Sequence, residues 1–269
     1  MERVELLRDV DRPSGWLLLV DGVPQSYVDP TDPAYLDFDY VRAIAGLVDL
    51  ALPRPRPLSA VHVGGGGLTL PRWLAATRPG SIQLVLEPDT EVTAEVRRVL
   101  PLPRRSGIRV RGQGGREALA SRPDASADLV VLDAFEEGRV PFELTTTEYV
   151  REVARVLRPG GTYVVNLADA PPLTFARRAV RTVREVFAGE VTVLAHASVV
   201  RRRRHGNVVI AAGAPVDSAV LGRSLRSDPF ALTPVADVDR FVGGLPPLRD
   251  GDPPPAQGGP VDGWRIPRM

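Results

Sequence analysis

Apolar and polar positions change period several times along this chain, and the changes divide it into elements. Near the start, VELLRDV (4–10) and GWLLLVDG (15–22) are short apolar runs separated by the turn formers Asp11, Pro13, Ser14 and Gly15, as expected of strands. Asp21-Gly22 marks a tight turn before a third run, VPQSYV (23–28). From Tyr35 to Leu50 the period becomes helical: Leu36, Tyr40, Ile44, Leu47 and Val48 recur at three- and four-residue intervals. PRPRP at 53–57 then reads as a linker.

Beyond it the pattern alternates. LSAVHV (58–63), SIQLVLE (81–87), GIRVR (107–111), DLVVLD (128–133) and TYVVNLA (162–168) read as buried strands. Helices are predicted between them at about 69–77, 89–99, 116–121 and 145–157, with another over about 173–187. EVTVLAHASVV (190–200) and GNVVIAAG (206–213) are expected to close as an antiparallel pair. This alternation predicts an α/β fold, a mostly parallel Rossmann-like sheet with helices on both faces, preceded by a small N-terminal β-hairpin region. Ligands of such sheets bind outside the carboxyl ends of the strands, where the strand order reverses. The expected organisation is a hairpin region with its connecting helix at 1–52, the Rossmann-like ligand-binding domain at 53–242, and a tail at 243–269. That tail has seven prolines and six glycines, so it is expected to be irregular.

Composition narrows the chemistry. The chain has 269 residues, room for one sizeable domain with an appendage, and its 43% hydrophobic and 25% charged residues are those of a globular protein. A net charge of +1 gives no general attraction to nucleic acid or to an anionic membrane, and neither is expected as a partner. There is no cysteine, which excludes disulfides, thiolate nucleophiles and cysteine-ligated metals. All 34 basic residues are arginine, so no lysine can form a Schiff base or serve a P-loop. His62, His196 and His205 are scattered without metal-ligand spacing, and no metal is expected. No apolar run approaches the ~20 residues of a membrane span, and MERVELLRDVD lacks a signal-peptide core, so a cytoplasmic location is expected.

Four consecutive glycines follow the first strand of the alternating region, in VHVGGGGLTLP (61–71). Glycine lets backbone approach a ligand closely, and the helix that follows offers unpaired N–H groups. G-x-G-x-x-G is met at Gly64 and Gly66, with Gly65 between them, but Thr69 stands at the third position, so a nucleotide loop and a plain strand-to-helix turn both fit. Glu87 ends the second strand of this region, 23 residues after Gly64, where an acid can accept from both hydroxyls of a ribose; the other reading is an exposed glutamate opening the turn EPD. Asp133 ends the fourth, facing the cleft, where it can act as a base, hold a cation, or merely cap a turn. Glu136 and Glu137 follow it as a small acidic cluster. The run Arg201–Arg204 reads as a solvated turn, with anion or partner binding as the other reading.

RVLRPGGTYVV (155–165) carries the most specific local signal, a helix that ends at Pro159-Gly160-Gly161 and leads into a strand. The turn resembles that of the class I S-adenosylmethionine-dependent methyltransferase fold. WLLLVDGVPQSYV resembles the N-terminal hairpin of the spermidine synthase (polyamine aminopropyltransferase) family, with its L-x-x-D-G-x-x-Q pattern. The glycine loop, Glu87, DLVVLDAF and RVLRPGG follow in that family's order, so the resemblance covers roughly residues 4–212. RRRRHGNVVIAAG is also similar to actinobacterial spermidine synthase-like proteins.

The resemblance implies aminopropyl transfer from decarboxylated S-adenosylmethionine to a small-molecule amine such as putrescine. No tightly bound cofactor is implied, and a homodimer or tetramer is expected. Gln25 matches a residue touching the nucleoside, Glu87 the ribose-binding acid, and Asp133 the aspartate that helps deprotonate the amine; Glu136 stands where a second acid sits. Gly64, Gly65 and Gly66, with Gly114 and Gly115 after the third strand, would complete the donor cradle. Three departures stand out. Gly67 occupies the place of the family's donor-anchoring aspartate, Gly114 that of its adenine-binding aspartate, and AYLDFDYV, with Tyr35, Asp37, Asp39 and Tyr40, lacks the family's Tyr-His pair. Each charge-assisted bond lost is worth on the order of 1.5–3 kcal/mol. A methyltransferase using S-adenosylmethionine itself, and a non-catalytic nucleoside-binding or assembly protein, are therefore the alternatives.

Overall fold

Asp21 and Gly22 both take positive φ, 52° and 77°, the backbone of a two-residue hairpin turn whose twist matches its strands. They join β2 (Trp16–Val20) to β3 (Val23–Val28), and β1 (Val4–Arg8) pairs on the other side of β2, giving an antiparallel sheet in the order β1-β2-β3. These assignments come from a computed structural model that describes residues 3–187, 191–224 and 231–257. Leu18 faces Ser26 while Leu19 faces Pro24, so Gln25 is the extra residue of a β-bulge.

α1 (Asp39–Ala51) begins four residues later than the apolar spacing predicts. The carbonyls of Leu36 and Asp37 accept from the Arg42 guanidinium instead of from helix N–H groups, which leaves an irregular lead-in. The large sheet then forms from β4 (Ser59–Val63), β5 (Ile82–Leu86), β6 (Ile108–Arg111), β7 (Ala127–Leu132), β8 (Leu157–Asp169), β9 (Thr192–Ala195), β10 (Gly206–Gly213) and β11 (Thr233–Pro234). Its order is β11-β9-β10-β8-β7-β4-β5-β6. β4 to β8 are parallel, while β9, β10 and β11 are antiparallel, which gives the mostly parallel methyltransferase-like sheet expected. The chain runs outward from β4 through β5 and β6, then returns to β7 on the other side, so the order reverses between β4 and β7.

Connecting helices are α2 (Thr69–Thr77), α3 (Thr90–Val99), α4 (Gly115–Ala120), α5 (Thr147–Val156) and α6 (Thr174–Phe187); shorter ones are α7 (Ala197–Val200), α8 (Ser218–Ser224) and α9 (Val238–Val242). Alternation along the strands divides the core. Val61, Val63, Val130 and Val165 pack on one face against α4, α5 and α6, while Ala60, Val131, Val164 and Val209 pack on the other against α1 and α2. The hairpin sheet rests on α3 through Val4 and Leu18 against Val92 and Val96.

Two expectations need correction. The RPGG segment is not a turn between helix and strand: β8 already starts at Leu157, paired with Ala127, and a register shift between Ala127 and Leu129 absorbs Pro159, Gly160 and Gly161. The strand expected over 190–200 ends at Ala195, and its first residue, Glu190, lies outside the described residues. His196 Nδ1 accepts from the Ser198 N–H at 3.2 Å, which caps α7 and turns the chain out of the sheet. The described part of the tail, 243–257, has no helix or strand and is docked on the domain. Leu248 is fully buried, its N–H donates to Thr182 Oγ1 at 2.7 Å, and its carbonyl accepts from the Thr147 N–H at 2.8 Å. Arg178 reaches the Pro247 carbonyl and Asp252, and Arg116 grips Asp250. Gln257 bonds both the N–H and the carbonyl of Val140. The rest of the tail, 258–269, lies outside the described residues. Among the described residues no helix is long and apolar enough to cross a membrane.

Candidate functional site

A cavity of about 1120 Å³ opens between the hairpin sheet, the lead-in to α1 and the carboxyl ends of β4, β5 and β7. Gln25, Gly64, Gly65, Gly66, Glu87, Gly114, Gly115, Asp133 and Glu136 all line it, although they come from five separate stretches of chain. Asp37 and Tyr40 line it too; Tyr35, Asp39 and Gly67 do not.

The glycine loop is built by close approach. Gly64 has φ +95°, and a Cβ there would lie 2.0 Å from the Asp133 carbonyl oxygen, so no side chain fits. The N–H groups of Gly65 and Gly66 donate to Glu87 Oε2 at 2.9 and 3.3 Å, and the Asp89 N–H donates to Glu87 Oε1 at 3.0 Å. Three backbone donors thus fix the Glu87 carboxylate beside the loop. The hairpin closes the far end: Gly67 N–H donates to Ser26 Oγ at 3.0 Å, and a Cβ on Gly67 would meet Ser26 Cβ and Val28 Cγ2, each at 2.9 Å. Gly114 is the opposite case, with no atom within 4 Å of a Cβ. Its neighbour Gly115 lets α4 settle on β4, where a Cβ would fall 2.3 Å from Val63 Cγ1.

Asp133 follows β7, partly open to the cavity and otherwise enclosed. Burial pushes its carboxyl up to about 6, against the hydrogen bonds from Asn166 and Tyr40, which favour the charged form. The same burial, and the nearby Asp133 charge, raise the Tyr40 hydroxyl well above its ordinary value, so Tyr40 stays a donor. Glu136 is exposed on a turn closed by paired backbone bonds with Arg139, at 2.8 and 2.9 Å. Among the described residues the lining carries nine carboxylates and two guanidiniums, Arg3 and Arg116. Both arginines are already ion-paired, with Asp89 and Glu91 and with Asp250. The field in the cavity therefore favours a cationic ligand.

Sequence reasoning missed several contributors. Ser26 braces the loop, Arg116 ties α4 to the tail, and Asn166 and Asn207 lie behind Asp133. A lone amide inside an apolar strand, as in TYVVNLA and GNVVIAAG, was the available signal. His62, inside the strand before the glycines, has a different task. Gln83 Nε2 donates to the Pro71 carbonyl at 3.0 Å and presents Oε1 to His62 Nε2 at 2.9 Å, so His62 carries its proton there. Burial lowers it to about 4 and keeps it neutral. The run Arg201–Arg204 forms an exposed turn between α7 and β10, as expected.

No family model matches the chain. It is 27% identical to a polyamine aminopropyltransferase of Chromobacterium violaceum over 206 residues, 75% of this chain and 73% of that one. It is 30% identical to a polyamine aminopropyltransferase of Vibrio vulnificus over 164 residues, 60% of this chain and 52% of the relative. Among solved structures, a probable spermidine synthase from Corynebacterium glutamicum superposes with a TM-score of 0.85 at 28% identity, covering 95% of both chains. Spermidine synthase from Thermotoga maritima, at TM-score 0.58 and 16% identity over 91% of this chain and 77% of that one, shares the fold.

Proposed function

This chain is a spermidine synthase-family protein, and we propose that it transfers an aminopropyl group from decarboxylated S-adenosylmethionine to a small amine, with putrescine the first acceptor to test. The observation that carries the reading is Asp133: a carboxylate with a pKa near 6, beside a glycine cradle and inside an acidic cavity. At neutral pH it is largely ionised and so able to take a proton from the acceptor's ammonium group, which frees the amine that attacks.

In the proposed step the freed amine attacks the propyl carbon next to the donor's sulfonium. A C–N bond forms as the C–S bond breaks, the sulfur leaves as the neutral thioether methylthioadenosine, and the amine's proton passes to Asp133 and then to water. Glu87 would hold the ribose hydroxyls, Gln25 at its bulge would touch the nucleoside, and Gly64, Gly65, Gly66, Gly114 and Gly115 would let it approach backbone. Glu136, at the rim, would hold the acceptor's charge.

One observation favours a second reading. The family's two donor-binding acids are absent, and the hairpin packs so closely on Gly67 that a side chain has no room there. A site without that acid suits the carboxylate of S-adenosylmethionine better, which makes methyl transfer the alternative. Calorimetric titration with decarboxylated S-adenosylmethionine, S-adenosylmethionine and methylthioadenosine, together with an assay for spermidine from putrescine, separates the two. The expected result is preference for the decarboxylated donor and turnover that Asp133→Asn lowers by about 10²–10⁴-fold while nucleoside binding persists. Binding of S-adenosylmethionine alone would overturn it, and no binding of any of the three would favour a scaffold role.

A further inference from the structure

A general base is useful only if its lone pairs face the substrate, and the groups that orient Asp133 lie on two strands behind it. β7 and β8 run parallel with Leu132 beside Val165, which brings the following residues, Asp133 and Asn166, side by side. β10 runs antiparallel to β8 with Val209 opposite Asn166, so Asn207, two residues earlier, projects to the same face. That face is the one covered by α1, because Val131, Val164 and Val209 all pack there. The register thus lines up three polar side chains at the carboxyl end of an otherwise apolar layer.

Their hydrogen bonds form a chain of fixed polarity. Asn166 is fully buried; its Nδ2 donates to Asp133 Oδ1 at 2.9 Å, and its own Oδ1 accepts from Asn207 Nδ2 at 3.0 Å. An ionised carboxylate can only accept, so Asn166 must turn its NH2 group toward Asp133. Rotating that amide by half a turn would set two oxygens against each other beside Asp133 and two NH2 groups against each other beside Asn207. Asn207 thereby holds the amide in its productive sense. The Tyr40 hydroxyl supplies a second donor to Asp133 from α1.

We propose that Asn166 and Asn207 are positioning residues, Asn166 fixing the plane of the Asp133 carboxylate and Asn207 locking the Asn166 amide, so that the acceptor amine meets the base in one orientation. The proposal rests on the reading of Asp133 as the proton acceptor. The groups bonded to Asp133 are Tyr40 from α1 and Asn166 from β8; the acids Glu136 and Glu137 of its own loop line the same cavity, and Asp39 acts on the Tyr40 hydroxyl.

The test compares the full chain with Asn166→Leu and Asn207→Leu, which keep the branched shape of asparagine, at a larger volume, and cannot donate. Loss of a charge-assisted bond is expected to move the acidic limb of kcat/KM for the amine upward by about one pH unit in Asn166→Leu and by less in Asn207→Leu. kcat should fall, while the Kd for methylthioadenosine stays within about twofold, a split that a merely structural role would not produce. Limbs that do not move, or nucleoside affinity that falls in step with kcat, would overturn the proposal. Asn207 is only partly buried, so Asn207→Leu keeps the test open if Asn166→Leu fails to fold. A second readout is independent of turnover: the side-chain carboxyl carbon resonance of Asp133, followed by NMR through its titration. A midpoint that rises in the variants supports the positioning role even if the wild type makes no spermidine, a result that would count against the proposed reaction alone. A midpoint unchanged from wild type would overturn the positioning role, whatever the reaction.

Discussion

Asp133 has its carboxyl raised to about 6 by burial, and that shift has consequences for both activity and stability. Turnover is expected to rise with pH through about 6 as the base form appears. Stability runs the other way. An aspartate in the unfolded chain titrates near 3.9, so between about 4 and 6 the folded state holds the extra proton. The stability this group contributes is therefore fully present below about pH 4 and is lost as pH rises through about 6. Keeping the charge inside the fold at pH 7.5 costs at most about 3 kcal/mol. Asp133→Asn should accordingly melt at a higher temperature than wild type at pH 7.5, with the gap closing by pH 4. Thermal melts at the two pH values check this, and an equal or lower Tm for the variant at pH 7.5 would refute it. Asp133 itself was legible in the sequence, as a carboxylate closing the apolar strand DLVVLD. Asn166 and Asn207 were not, because no local pattern says which amides a sheet register will bring to the same face.

At the level of elements, periodicity exposed most of the fold: α2 over 69–77 and the parallel strands follow from runs and spacings that tertiary packing leaves alone. It failed where a side chain or a register shift decided the backbone. Arg42 takes the carbonyls that would have started α1 earlier, His196 ends β9, and the shift beside Leu129 draws RPGG into β8. The glycine loop shows the same limit, because sequence could count absent acids but could not see what fills their places. The two positions differ sharply in space, and substitution should reveal it. Gly114→Asp enters open volume at a helix N-cap with φ −66°, so stability should change by less than about 0.5 kcal/mol, with tighter nucleoside binding if the aspartate reaches the base. Gly67→Asp must displace Ser26 or Val28 and is expected to cost about 1–3 kcal/mol. Urea denaturation of the two variants measures both, and equal losses would show that the hairpin yields more easily than its packing implies.

For the whole molecule, the docked strap at 243–257 matters most. It was read from sequence only as a Pro/Gly-rich tail, since its hold depends on a single buried leucine and on polar anchors far away in the chain. Leu248 sits between α5 and α6 with no exposed surface, so Leu248→Ala is expected to lower the unfolding free energy by about 2–5 kcal/mol, again readable by urea denaturation. A loss below about 1 kcal/mol would mean that the strap contributes little. The strap also imposes an order in time. Gln257 fastens Val140, next to Pro141 in the cavity wall, across 117 residues of sequence. At ~5–20 residues per second, a ribosome takes about 6–25 s to supply the second partner after the first. The acidic turn beside Asp133 is therefore secured only after every strand of the sheet has been made, and a polypeptide interrupted before the strap would hold all the strands around an unfinished rim.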